Sequence, residues 1–263
     1  SDDLRAGYPA SASLSELAYA DAMANEVDVE LVLAVDVSYS MDPDEQMIQR
    51  QGFVSALTSE PVMQAIQMGL LGRIAVTYME WGGAREQFVI ADWQIVDSPE
   101  TAASFARQIA EAPLRRVHNT SIASALKVAA DMIEHNRFRG MRKVIDVSGD
   151  GTNNNGGMLL PARNAVVDRG IVVNGLPLMM STSPKMYRHP GKPMLDAYFE
   201  ACVIGGPGSF AIPVRSPADF EAAIRTKLVL EIAGLTPYPP DDPRPARSMP
   251  RIACDQRVGQ VSY

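Results

Sequence analysis

Residues 33–42 read LAVDVSYSMD. They complete an apolar run, Leu31-Val32-Leu33-Ala34-Val35, that ends on the acid Asp36. Two hydroxyls follow at alternate positions, Ser38 and Ser40, and then two more acids, Asp42 and Asp44. An uninterrupted apolar and β-branched run of this kind suits a central strand buried on both faces. Its carboxyl end therefore presents one carboxylate and two hydroxyls side by side. Taken singly, Ser38 and Ser40 read as caps for the orphan N–H groups of a following helix. The sharper reading makes them half of a metal site whose other half lies far down the chain.

Working outward, strands and helices alternate. Val27–Val35 is the first strand. RIAVTYMEW (73–81) and QFVIADWQIV (87–96) are two more, joined as a hairpin through Gly82-Gly83. RKVIDVSGDG (142–151), GIVVNGLPLM (170–179) and SFAIPV (209–214) complete six. Pro43 begins a helix with Asp42 as N-cap, and a break is expected at Pro61. Further helices are expected from Ser98-Pro99-Glu100, over 121–135, 159–169 and 194–206, and from Pro217 to Ala233. The expectation is an α/β fold: a doubly wound, mostly parallel six-stranded sheet, helices on both faces, and one antiparallel hairpin strand. Residues 1–26 read as an N-terminal arm, helical near Leu14–Ala24. Residues 27–235 form the domain, and 236–263 a Pro-rich tail that wraps the surface or is disordered.

Composition narrows the function classes. The chain has 263 residues, 46% of them hydrophobic, and a net charge of -7. It has no Lys/Arg block, so a nucleic-acid footprint is unsupported. No stretch approaches the roughly 18 apolar residues of a membrane span. The chain opens Ser1-Asp2-Asp3 without a methionine, as a product would after signal-peptide removal; a trimmed expression product would look the same. Cys202 and Cys254 are either one disulfide fixing the tail or two free thiols. We expect the disulfide and, with it, a periplasmic or extracellular location.

In a doubly wound sheet, ligands bind beyond the carboxyl ends of the strands where the strand order switches. Asp36, Ser38 and Ser40 lie at one such end. Asp150, bracketed by Gly149 and Gly151, lies at another. Thr120 stands at the start of the helix beginning near Ser121. If the first and fourth strands are neighbours, these five oxygen donors meet. Two carboxylates and three hydroxyls form a hard-cation set, suited to Mg2+ first, and to Mn2+ or Ca2+.

These residues resemble the von Willebrand factor A domain and its metal-ion-dependent adhesion site (MIDAS). The family pattern is Asp-x-Ser-x-Ser, a Thr before a helix, and a later Asp-Gly. Here those positions are Asp36-Val37-Ser38-Tyr39-Ser40, Thr120 and Asp150-Gly151, within a likeness that covers 27–233. The resemblance implies that Ser38, Ser40 and Thr120 contact the ion, with Asp36 and Asp150 acting directly or through water. Gly149 stands where the family more often has Thr. A closer likeness is to an uncharacterised family of exported bacterial proteins built on this domain. It rests on RIAVTYMEWGG, RKVIDVSGDGTNNNG, VVNGLPLM and CVIGGPGSF, and implies the fold and export but no activity.

The function expected is metal-ion-dependent binding of another protein, whose Asp or Glu completes the ion's shell. The chain would then be a subunit of a larger envelope complex. The alternative is a Mg-dependent phosphohydrolase or phosphoryl-transfer enzyme using Asp36. It lacks the second acid two residues on, where Ser38 stands, and a receiver-type site would want an acidic pair just before Asp36, for which Glu30 lies too early. No Gly-x-Ser-x-Gly elbow or phosphate loop is present. Asp42 and Asp44 read as a solvated helix start, Asp146 as the partner of a base, and His118 as a surface residue near the rim. Thr152 and Asn153 lie in a turn-rich loop that also lines the rim on the functional reading. Trp81 and Trp93 read as packing. The methionine-rich stretch around Met179, Met180, Met186 and Met194, with Arg188 and His189, reads as an adaptable contact loop.

Overall fold

The structure is a computed structural model and describes residues 13–180, 194–238 and 252–255. A helix capped by Ser13, α1 (Leu14–Ala24), precedes the sheet. The central strand is β1 (Glu26–Asp36), buried at every residue from Val27 onward. It pairs in parallel with β2 (Ile74–Trp81) on one side and β4 (Arg139–Gly149) on the other. Beyond β2 lies the antiparallel β3 (Gln87–Val96), and beyond β4 the parallel β5 (Val172–Pro177). The order β3-β2-β1-β4-β5 switches direction between β1 and β4. That is where a doubly wound sheet opens a crevice.

The two-residue period of β1 sorts its side chains between two cores. Val29, Leu31, Leu33 and Val35 face α2 (Pro43–Leu57), α3 (Glu60–Gln67) and α4 (Pro99–Glu111). Val32 and Ala34 face α5 (Ile122–Glu134) and α6 (Leu159–Val167). On this second face a short helix, α7 (Leu195–Tyr198), runs on as a π-helical turn, Phe199–Val203. A disulfide joins Cys202 of that turn to Cys254. The closing helix α8 (Phe220–Ala233) returns to the first face, where Phe220, Ile224 and Leu228 pack. Trp81 is fully buried and Trp93 packs partly buried against its neighbours, both as core residues.

Two expectations are corrected. The sheet has five strands, not six. Residues 210–214 follow the outer edge of β5 but make only isolated bridges, Gly175 with Ala211 and Leu178 with Val214. Ile212 and Val214 donate to the carbonyls of Gly175 and Pro177, but Pro177 has no N–H to return, so the ladder is broken there. The helical break falls at Thr58–Ser59 rather than at Pro61. Pro61 sits in the first turn of α3, where its missing N–H is one of the orphans anyway.

Asp146, in the middle of β4, does pair with a base. Lys227 of α8 lies 2.6 Å from its carboxylate, and both are buried. Lys227 also pairs with Glu231, which accepts a 3.0 Å hydrogen bond from Asn174. Met186, Arg188, His189 and most of the tail lie outside the described residues.

Candidate metal centre

The β1–β4 pairing brings the two halves of the predicted site together, with Val35 opposite Ser148 in the register. Asp36 ends β1 fully buried. The chain then turns, and the Asp36 Oδ1 accepts the N–H of Ser38 at 2.8 Å, an Asx-type turn that aims both serines at the same edge. The hydroxyls of Ser38 and Ser40 lie 2.9 Å apart. Ser40 donates to Asp150 Oδ1 at 2.6 Å, across 110 residues of sequence. Asp42 caps α2 through the N–H of Glu45, so the helix-start reading of this acid holds.

Thr120 reaches the same edge from the α5 side and is buried. Its hydroxyl lies 3.8 Å from where a Cβ on Gly151 would stand, beside Asp150. The segment that delivers it is tied to the Asp36 loop: Tyr39 N–H donates to Val117 O at 2.9 Å, and Val117 N–H to Val37 O at 3.0 Å. Asn119 then adopts φ 67°, a left-handed kink that Asn tolerates better than most residues. His118, exposed, stacks on Tyr39 at 4.4 Å, and the Arg116 guanidinium covers the Tyr39 ring at 4.5 Å. Together they form an aromatic and basic rim.

Several supports of this edge were not singled out from sequence. Gln49 of α2 donates to the Asp36 carbonyl at 3.1 Å and accepts from Ser148 Oγ at 2.9 Å. Gly82 is required because a Cβ there would stand 2.0 Å from Val117 Cγ2. The three asparagines after Asp150 form a clamp rather than a free loop. Asn154 Oδ1 accepts Thr120 N–H at 2.9 Å, while the Asn154 N–H returns to Thr120 O at 2.9 Å. Asn153 Oδ1 accepts Ala123 N–H at 3.1 Å, and Asn155 Oδ1 accepts Ala84 N–H at 2.9 Å. Consecutive side-chain acceptors were the available signal; their partners are 30 to 71 residues away.

Electrostatically the site is short of positive charge. Burial pushes the Asp36 carboxyl well above the usual carboxylate range, and the charge of Asp150 adds to it; the bonds from Ser38 pull the other way. Burial also raises Asp150, against the Ser40 hydroxyl and with the help of Glu45. Asp36 Oδ2 is buried and has no hydrogen-bond partner. Gly149, lacking a Cβ, keeps space beside that oxygen: a Cβ there would stand 3.1 Å from it. An orphaned carboxylate oxygen beside a second carboxylate and three hydroxyls fits a hard divalent cation. Among the described residues, no group of three or more His, Cys, Asp or Glu converges as a metal cluster. This set has only two carboxylates, its other donors being hydroxyls.

A protein-family model, "Protein of unknown function (DUF1194)", matches residues 26–236. The chain belongs to the DUF1194 family. No curated protein matches its sequence. Among solved structures, this DUF1194 chain is similar to a von Willebrand factor type A protein from Catenulispora acidiphila, with 13% identity, a TM-score of 0.54, and 79% and 43% of the two chains covered. It is similar to the pilus adhesin SpaC from Lactobacillus rhamnosus GG in its open conformation, at 12% identity and TM-score 0.57, covering 79% and 30%. It is also similar to proximal thread matrix protein 1 from the mussel byssus with a zinc-occupied MIDAS motif, at 11% identity and TM-score 0.53, covering 78% and 46%. At these identities the likeness is one of fold, and the fold is that of a von Willebrand factor A domain. The DUF1194 chain spans less than half the length of each of these three.

Proposed function

We propose that this chain is a divalent-cation-dependent protein-binding module. Asp36, Ser38, Ser40, Thr120 and Asp150 hold the ion, with Mg2+ the best match to an all-oxygen set and Mn2+ or Ca2+ also accommodated. A bound cation would supply an open coordination position. The chain's own residues do the rest. Asp36 and Asp150 balance the two charges of the ion, and the neutral hydroxyls add none, so an incoming Asp or Glu would bind by replacing water at the remaining position. The hydroxyls fix its position, and the Tyr39–His118–Arg116 rim meets whatever flanks an incoming Asp or Glu. The observation that carries this reading is the buried, unpartnered Asp36 Oδ2 beside Asp150. The alternative lacks the second acid that aspartyl-phosphate chemistry needs, since Ser38 stands two residues after Asp36. The zinc-occupied MIDAS of the mussel protein supports a divalent ion in this fold and leaves Zn2+ as the competitor to exclude.

The disulfide supports an oxidising compartment, periplasmic or extracellular. There the module would serve as a subunit of an envelope assembly. Among the described residues, no helix is long and apolar enough to cross a membrane.

Titration calorimetry with Mg2+, Mn2+ and Zn2+ tests the ion, and capture from a native envelope fraction with and without chelator tests the partner. The expected results are binding that Asp150→Ala abolishes, and a partner released by chelator and restored by Mg2+. A partner held equally in excess chelator would refute ion-dependent binding.

A further inference from the structure

The asparagine clamp on Thr120 has an anchor of its own, remote in sequence. The N–H of Asn153 donates to Tyr198 Oη at 3.1 Å, and that hydroxyl lies 3.5 Å from the Cys254 carbonyl, to which it donates. Cys254 is fixed by its disulfide to Cys202, in the turn that follows Tyr198. The next residue, Asp255, accepts the N–H groups of Leu159 at 2.5 Å and Leu160 at 3.2 Å. These are the first N–H groups of α6, whose own N-cap residue, Met158, makes no side-chain capping bond. Residues 150–158 thus run from the end of β4 to a helix start capped in trans, and the Cys254–Asp255 pair holds both their middle and their exit.

This loop has little stiffness of its own. It contains Gly151, Gly156 and Gly157, the last two at φ 77° and 109°, and glycine carries the largest backbone entropy. Its order must come from hydrogen bonds to neighbours. Those bonds lead in one direction, from the disulfide through Tyr198 to Asn153, and in the other from Asn153 and Asn154 to the α5 start and Thr120.

We propose that the disulfide-locked pair Cys254–Asp255 positions the Thr120 side of the cation site, acting through Tyr198, Asn153 and Asn154. This inference rests on the cation reading above. Asp255, Tyr198, Asn153 and Asn154 are positioning residues. Without their anchors the clamp loses register, and Thr120 no longer sits opposite Asp36 and Asp150. Cys254 and Asp255 of the tail are therefore part of the site's scaffold and not only a staple on the fold.

The test uses the full chain with Mn2+ alone as probe, its affinity measured by calorimetry, and amide hydrogen exchange read at Thr120, Ala123 and Asn153. Tyr198→Phe keeps the ring and removes the hydroxyl. Asp255→Ala removes the cap, and Asp255→Asn keeps one acceptor oxygen. Tyr198→Phe, Asp255→Ala and reduction of the disulfide should each weaken Mn2+ binding about ten-fold, the scale of outer-shell losses at metal sites. The same changes should quicken exchange at the three amides while leaving the β1 amides unchanged, and Asp255→Asn should recover part of both. Variants that keep wild-type affinity and wild-type exchange overturn the positioning role. Wild-type protein that binds no Mn2+ overturns the cation reading itself, so the two failures are distinguishable.

Discussion

Replacing Lys227 by Met should cost far more than a surface lysine would, and the structure says why. The ammonium has no exposed surface and lies between Asp146 of β4 and Glu231 of its own helix. Burial pushes the Glu231 carboxyl up to about 8, with Asp146 adding to the effect and Lys227 opposing it. The upward shift of Glu231 favours its neutral form, which leaves the Lys227–Asp146 contact as the main ion pair of the group. Removing the ammonium strands Asp146 as an uncompensated carboxylate inside the sheet. Breaking a buried pair in this way costs roughly 3–5 kcal/mol. For a chain of this size that is a fall of about 6–20 °C in melting temperature. Thermal and urea denaturation with Mg2+ present measure it, and Asp146→Asn in the Lys227→Met background should recover at least half. A loss under about 1 kcal/mol, or no recovery in the double variant, would show that Lys227 only fills space.

The same group gives a pH dependence. The folded pKa of Glu231 is raised from an ordinary 4.5 to about 8. Between those values the folded state keeps a proton the unfolded state has released, so stability should fall as pH rises, by at most about 1.4 kcal/mol per unit. The groups facing Glu231 are Lys227, Asp146, Asn174 and the Arg142 guanidinium bonded to its carbonyl, and Glu231→Gln should flatten the slope in urea titrations from pH 5 to 8; an unchanged slope refutes the assignment. Asp150→Ala should abolish Mg2+ binding yet melt in chelator no lower than wild type, because it removes one of two converging carboxylates; loss of cooperative melting would mean the acid is structural. Thr120→Ala should weaken Mg2+ and partner binding more than it lowers the melting temperature, and equal loss of both would remove the hydroxyl from the ion's shell. Gly82→Ala should destabilise by about 1–3 kcal/mol through overpacking against Val117, the Cβ position being 2.0 Å from Val117 Cγ2, and a neutral result would mean the 115–119 segment yields.

Features that obey local or topological rules were legible in the sequence. The apolar run into Asp36, the glycine-bracketed Asp150 and the capped start at Ser121 each announce a strand end or a helix start. The switch-point rule then pointed to these strand ends, on the condition that the first and fourth strands are neighbours, which the pairing of β1 with β4 meets. The sixth strand was misjudged because SFAIPV has the right pattern, while its partner strand is interrupted by Pro177; strand pattern does not report which neighbour lacks an N–H. The clamp was missed for a related reason. Asn153, Asn154 and Asn155 look like turn residues until their acceptors meet Ala123, Thr120 and Ala84. Asp255 is harder still, since its partners lie 95 and 96 residues away. Lys227 and Glu231 are spaced as a surface i,i+4 pair, and only the position of Asp146 in a central strand makes them core.

How the sheet treats its acids separates structure from site. Asp28 accepts the N–H groups of Leu71 and Arg73. Glu30 accepts Gly140 N–H and the Asn136 amide, one on each oxygen. Glu80 is paired with Arg50, and Asp146 and Glu231 share Lys227. Each of these buried acids has either both oxygens hydrogen-bonded or a cation from the chain itself. Asp36 has neither: one oxygen takes the Ser38 N–H, and the other is left bare beside Asp150. That Asp36 alone of these six lacks both a cation from the chain and a bond to its second oxygen supports the proposed ion. Its location at the switch point, among three hydroxyls and a second carboxylate, fits the chemistry of the ion proposed above: small, doubly positive and oxygen-seeking.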